Sequence, residues 1–484
     1  MNRVFIRKSF IFIIITVLIK LAGVIRDIVI ANYFGDSYLA DAFLTAFVLV
    51  NVLILFFTNG MRHLFVPLYM KARVDHEEDK FTATIFYGTG VFSACLVLVL
   101  LVIVPLIIPI LYPVQADIII NLTQILLMAV LFVAVNAVLE AYFESIQRYS
   151  ISAFSQLIVL LIMIATVVLF HQQLSVYALA VGYLLGTITS FLLKLYLAIG
   201  VVGWHFSIKR TQSFYINYFP IALTVMIGQI NLAVDQLFAN RIGEGVVTYL
   251  SYAKNLVHLP QALIATALGT LIFPVISKAF VSEDRDQLLK TINRGQLLVL
   301  TLLIPAIAGM ATLMTEIIQL LYQRGQFTPQ ATLATTRVAY FYLGSVFFYS
   351  FNTLIVNGLY ALNKAKAIMK ISLISVCLNV ILNGILSYAF GFVGIPLASS
   401  IVGGLYLLLT YQKFCQEIGK LSFTGSYKQL IKVGIASLIM IIVLVSCSNL
   451  HVILQIILGV SVYLLLLVLL NLKEWKEEIK WHKK

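Results

Sequence analysis

Charge is scarce in this chain. Only 11% of its 484 residues are Asp, Glu, Lys or Arg, against roughly 25% in a soluble globular protein. A soluble chain of this length needs polar surface that this sequence does not have. Cysteine is scarcer still: Cys95, Cys377, Cys415 and Cys447 stand singly, which excludes a disulfide framework and a metal-binding spacing. There is no HExxH helix, no Gly-rich phosphate loop, no paired-aspartate nucleotide-sugar motif and no loop long enough for a soluble catalytic domain. The sequence therefore predicts a protein that is not an enzyme.

What fills the chain is hydrocarbon. It is 61% hydrophobic, with a mean hydropathy of +1.01. Fourteen apolar runs lie near 10–33, 42–61, 84–112, 116–143, 151–171, 174–198, 213–240, 246–275, 295–322, 332–360, 367–389, 392–414, 429–448 and 451–472. Runs of about 18 or more apolar residues read as transmembrane helices, and membrane β-strands need only about 9–11. The expected fold class is an all-α polytopic membrane protein with about fourteen transmembrane helices.

Positive charge orients the spans. With the N-terminus placed in the cytoplasm, 26 of the 33 Lys and Arg fall in inside segments, two (Arg241 and Arg324) fall outside, and five lie in or at the ends of spans. The split supports fourteen crossings with both termini cytoplasmic. It also accounts for the net charge of +13, which is spread over short loops and attracts anionic lipid, so a nucleic-acid partner is not expected. The basic start and apolar stretch resemble a signal peptide, but no small-residue cleavage site follows, and we read an uncleaved first span.

The chain repeats itself. Ala31-Asn-Tyr-Phe-Gly35 recurs as Ala239-Asn-Arg-Ile-Gly243, and Pro67 follows the first as Pro274 follows the second. Tyr142 and Tyr360, and Leu179-Ala180 and Leu397-Ala398, share an offset of 218. This predicts parallel six-helix lobes at 1–200 and 213–415, joined by a linker at 201–212. Two added helices at 416–472 and a basic tail at 473–484 complete the division. Duplicated bundles of this kind suit alternating access around a central site. Trp204, Lys209 and Arg210 suggest that the linker lies on the membrane surface.

The charges inside the spans point to function, because a charged side chain near the bilayer centre costs about 2.5–3.5 kcal/mol on insertion scales. Lys20, Gly23 and Asp27 share one sector of the first helix, with Arg26 about 100° from Asp27. Either these charges pair with neighbouring helices, or Lys20 and Arg26 line a cavity for an anion with Asp27 and Asp41 positioning them. Lys254 and His258 share a face of the eighth span. Lys194, near a helix end, is expected to snorkel toward water. Asp235 is a deep carboxylate, and Asn379, Asn383 and Ser399 offer oxygen ligands of the kind a hard cation such as Na⁺ takes.

The segments Gly23-Val-Ile-Arg-Asp27, Ala31-Asn-Tyr-Phe-Gly35, Ala40-Asp-Ala-Phe43, Phe65-Val-Pro67, Ala267-Leu-Gly-Thr-Leu-Ile-Phe-Pro274, Tyr322-Gln-Arg-Gly-Gln-Phe-Thr328 and Leu359-Tyr-Ala-Leu362 give the chain its relation to known proteins. It resembles the MurJ (MviN) family of lipid II flippases, in the multidrug/oligosaccharidyl-lipid/polysaccharide exporter superfamily. The resemblance implies transport of an undecaprenyl-diphosphate-linked glycan precursor, with Arg26 and Asp41 at family cavity positions and Lys20 where the family usually has arginine. The charges of the spans themselves add Asp27, Lys254 and His258 as substrate-binding candidates, Lys254 and His258 standing where the family has a different set of charges. The resemblance also implies a sodium site of Asp235, Asn379, Asn383 and Ser399, no other cofactor, and cell-wall or polysaccharide synthesis proteins as partners. Where that family often carries a double arginine after Asn51, this chain has Ile54 and Leu55. The alternatives are a cation-coupled exporter of amphipathic small molecules and a non-transporting member of a glycan-synthesis complex.

Overall fold

The computed structural model describes residues 3–200, 203, 205–264, 285–362, 364–417, 419–421 and 427–470. The motif at 267–274, the repeat proline Pro274, Trp204 and the tail at 472–484 lie outside the described residues. Helix accounts for nearly all of the rest, and there is no strand among the described residues. In lipid no water satisfies a bare peptide group, so a long apolar run must close its hydrogen bonds within itself.

The helices are α1 (Arg3–Phe34), α2 (Tyr38–Val74), α3 (Glu78–Leu111), α4 (Ala116–Ser145), α5 (Tyr149–Leu174), α6 (Tyr177–Leu197), α7 (Ile208–Ile242), α8 (Val246–Val257), α9 (Arg285–Tyr322), α10 (Pro329–Ala361), α11 (Ala365–Phe390), α12 (Gly394–Glu417), α13 (Tyr427–Ser446) and α14 (Val452–Leu469). Among the described residues they follow the apolar runs in order; the eighth run is described only to residue 264, and its helix α8 covers Val246–Val257. Among the described residues, ten segments are long and apolar enough to cross a membrane. One of them, Ala365–Glu417, holds both α11 and α12. The chain is a multi-pass helical membrane protein.

The chain forms two compact units. The first comprises Met1–Thr248 with Arg324–Thr328. In it α2 packs on α4 and α7, α4 on α3 and α6, and α5 on α6 and α1. Small residues permit the close approaches: a Cβ at Gly182 or Gly186 would press on the α5 backbone at Met163 or Val159. Tyr218 of α7 is buried against Gly60 and donates its hydroxyl proton to the Phe56 carbonyl at 2.5 Å. Its ring joins an aromatic cluster with Phe56, Phe214 and Tyr215.

Lys194 corrects an expectation. It does not snorkel: its side chain is fully buried and its ammonium lies 2.5 Å from the Glu140 carboxylate of α4. The partner is 54 residues away in sequence, which is why the position near a helix end suggested water. One turn earlier on each helix, Asn136 donates to Ser190 at 3.1 Å.

The second unit comprises Tyr249–Gln323 and Pro329–Lys484. Here α10 packs on α12 and α9, α11 on α12, and α9 on α13, which carries α14. Leu313, Ala436, Met440, Leu444, Tyr463 and Leu467 form its apolar core around α13 and α14. Tyr463 closes its polar end by donating to the Thr301 carbonyl at 2.6 Å.

Candidate functional site

The site begins on α1. Lys20 is exposed, and among the described residues a Cβ at Gly23 would meet no neighbouring heavy atom within 4 Å, so they leave this face of the helix open. Six residues span about 9 Å of helix, which brings the chain to Arg26. Its long side chain bridges the 100° between neighbours: Nη2 and Nε donate to Asp27 Oδ1 at 2.7 and 3.0 Å. Asp27 is 2% exposed and Arg26 17%. The guanidinium also lies over the Phe47 ring of α2, 5.7 Å from its centroid, and Phe47 meets Tyr183 edge to face at 5.4 Å. A carboxylate and a ring thus hold the cation in one orientation. That pre-arranged planar fork is what recognition of phosphate oxygens uses.

Asp41 does a different job from positioning these cations. It is fully buried and accepts from the backbone N–H of Gly245 (2.6 Å) and of Thr248 (2.8 Å) and from the Thr248 hydroxyl (2.7 Å). These are the orphan donors at the start of α8, capped by a carboxylate on α2. Glu244 returns the favour, accepting from the Tyr38 N–H at the start of α2 at 2.9 Å. Beside them the turn after α1 interlocks with residues 324–328. Gln326 N–H donates to the Asn32 carbonyl at 3.1 Å, and Gly35 (φ 58°) and Gly325 (φ 56°) leave no room for a Cβ. Three of the quoted motif segments therefore meet in one reciprocally capped joint.

In the second unit, the Lys254 ammonium lies 5.6 Å from the centre of the Tyr342 ring of α10. His258 sits 6.2 Å from the same ring, with Nδ1 2.6 Å from Gln261 Oε1. Tyr342 gathers the two residues that shared a face in sequence. Of the oxygen ligands, Asn383 donates to Asn379 Oδ1 at 3.2 Å, and Ser399 is nearly buried on α12. Asp235 is buried on α7 in the first unit. Among the described residues no group of three or more His, Cys, Asp or Glu side chains is placed to hold a metal.

Sequence reasoning gave Glu140 and Glu144 no role. Their spacing of four places both on one face of α4, where Glu140 meets Lys194 and Glu144 Oε2 meets Arg62 Nε at 2.9 Å. Only the partners' positions in space show this. Phe47 and Tyr342 were missed for the same reason: a lone aromatic in an apolar run looks like any other lipid-facing ring.

The family described as lipid II flippase MurJ matches residues 30–469. The chain belongs to the MurJ family. A relative in Helicobacter pylori described as a probable lipid II flippase MurJ is 28% identical over 428 residues, covering 83% of this chain and 92% of that protein. Among solved structures, a lipid II flippase MurJ in an inward closed conformation superposes with a TM-score of 0.83 at 25% identity, covering 96% of this chain and 99% of the other. An inward-facing multidrug resistance MATE transporter shares the fold, with a TM-score of 0.71 at 12% identity over 84% of this chain and 96% of the other.

Proposed function

We propose that this MurJ-family protein is a flippase. It moves an undecaprenyl-diphosphate-linked glycan precursor, lipid II or a related cell-wall or polysaccharide intermediate, between membrane leaflets by alternating access. The observation that carries the reading is Arg26, a half-buried guanidinium braced by Asp27 and Phe47 in a chain whose family match runs from residue 30 to 469. Lys20 on the open face beside Gly23 adds a second cation for the diphosphate, and Lys254 with His258 offers donors from the second unit. In this reading residues 1–200 and 213–415 are the repeated lobes, joined at 201–212, with both termini in the cytoplasm. Asp235, Asn379, Asn383 and Ser399 bind Na⁺ as a coupling ion, and cell-wall or polysaccharide synthesis proteins supply and receive the substrate.

The test is Arg26→Ala, assayed for translocation in vesicles and for complementation of a MurJ-depleted cell. A lost charge-assisted contact of about 1.5–3 kcal/mol predicts a fall of at least about tenfold. Full activity in the variant would sink the anion-clamp role. The cation-coupled drug exporter keeps only the support of a shared fold. It predicts drug resistance on expression that needs Asp235 and not Arg26.

A further inference from the structure

α2 carries a polar face that the site above does not use. Asn59, Arg62 and His63 are all exposed, and at spacings of three and four they share one side of the helix. Beside and behind it Phe57, Gly60, Met61 and Phe65 are buried, and Phe56, two turns before His63 on the same face, is buried too. The helix is otherwise apolar enough to cross a membrane. A cation and two polar groups in such a helix are costly against hydrocarbon, so this face meets water or a charged headgroup.

Arg62 is also fixed in place. Its side chain is 58% exposed, yet Nε is committed to Glu144 Oε2 at 2.9 Å. Glu140, one turn earlier on α4, is taken by the buried Lys194. Among the described residues Glu144 therefore has Arg62 as its ion-pair partner. With Nε at the carboxylate of an exposed side chain, Arg62 keeps two Nη groups that can together match two oxygens of one phosphate. His63 and Asn59 supply further donors on the same face.

The patch is separate from the Arg26 site. Phe47, the ring beneath Arg26, lies fifteen residues before Arg62 on the same helix, or about 22 Å at 1.5 Å per residue. Glu144 offsets much of the Arg62 charge, so an anion held there is held loosely, as suits a place of passage.

We propose that Asn59, Arg62 and His63 form a second phosphate-contacting patch, through which the diphosphate of a polyprenyl-linked substrate passes on its way to or from Arg26. The proposal rests on the flippase reading. Anionic phospholipid shares the phosphate chemistry, so the experiment has two arms. Full-length protein in nanodiscs of neutral phosphatidylcholine is titrated with undecaprenyl diphosphate and, separately, with phosphatidylglycerol. Arg62→Ala is expected to weaken undecaprenyl diphosphate binding by about tenfold or more and to leave phosphatidylglycerol binding unchanged. Arg62→Lys, which keeps the charge and loses the fork, is expected to fall between, and Glu144→Gln, which removes the carboxylate that offsets the Arg62 charge, is expected to bind the diphosphate more tightly; both remain informative if Arg62→Ala fails to fold. Wild-type affinity in all folded variants overturns the proposal, and so does a loss confined to phosphatidylglycerol. If Arg26→Ala weakens diphosphate binding and the Arg62 variants do not, the flippase reading stands and the second patch falls. If the wild type binds no undecaprenyl diphosphate, the flippase reading itself fails.

Discussion

Removing Lys194 tests what holds the first unit together. Its ammonium is fully buried, 2.5 Å from a Glu140 carboxylate that is 17% exposed. Breaking a buried pair by deleting one partner costs about 3–5 kcal/mol, because the survivor is left charged and unpaired. Lys194→Met strands the carboxylate, which still reaches some solvent, so about 3 kcal/mol is expected. Glu140→Gln strands an ammonium with no exposure, and its cost belongs nearer the upper end, about 5 kcal/mol. The double variant Glu140→Met with Lys194→Met removes both charges and fills the same volume with hydrocarbon, so it should lie within about 1 kcal/mol of wild type. The assay is reversible unfolding in mixed micelles with increasing sodium dodecyl sulfate, run as a double-mutant cycle. Single variants whose costs simply add in the double variant would refute the reasoning. Unchanged translocation by the folded double variant would place the pair in the scaffold rather than in transport.

Other residues make further predictions. Asp41→Ala orphans three donors at the start of α8, at about 1 kcal/mol or more each, so amide exchange over residues 245–252 should speed up; unchanged exchange would show that the cap carries no stability. Gly35→Ala places a Cβ at φ 58° and onto the Gln326 backbone, costing more than the roughly 1–2 kcal/mol of the left-handed conformation alone, and thermal unfolding should drop clearly, whereas Gly23→Ala, with open space around it, should melt like wild type. Arg210, 2.7 Å from Glu77 in the loop before α3, holds that carboxyl below its usual range. A lowered folded-state value gives a contribution present above the ordinary carboxylate range near 4.3 and lost as pH falls through the folded value. The melting difference between wild type and Glu77→Gln, small because the pair is exposed, should close as pH drops from 6 to 3, and a difference that widens instead would reverse the assignment.

The helices were legible because lipid leaves a chain few choices. Among the described residues the apolar runs became helices in the predicted order, and the boundaries moved outward where ends such as Arg3–Lys8 on α1 and Arg62–Val74 on α2 continued the same backbone. Side-chain pairing was far less legible. Arg26 and Asp27 point about 100° apart as helix positions, yet three methylenes let the guanidinium fold back onto its neighbour. Asp41 finds its donors 204 and 207 residues away, and no local pattern announces that. Lys194 was misread by the same limit, since its depth was set by Glu140 on another helix.

The same pairings suggest how the chain manages with few charges. In place of the two arginines that the family resemblance leads us to expect after Asn51, the chain has Ile54 on a buried face and Leu55. Arg62 comes seven residues after Leu55, two turns on and within about 20° of the same face. A cation there contacts a different depth of the membrane from one at position 55, by about 10 Å. Glu144 fixes it, as Asp27 fixes Arg26, and in each case the carboxylate orients a guanidinium whose chain would otherwise sample many rotamers. A cation that is ordered before the substrate arrives loses less entropy on binding, but its local carboxylate also weakens its hold on an anion. For a carrier that must release its cargo, that balance favours turnover over tight binding. If so, Glu144→Gln should behave unlike a simple loss. By unpinning Arg62 while raising net positive charge, it should bind anions over a wider range of geometries and slow release more than it slows capture. Rapid-mixing measurements of undecaprenyl diphosphate association and dissociation separate the two rates, and an unchanged dissociation rate would count against the balance.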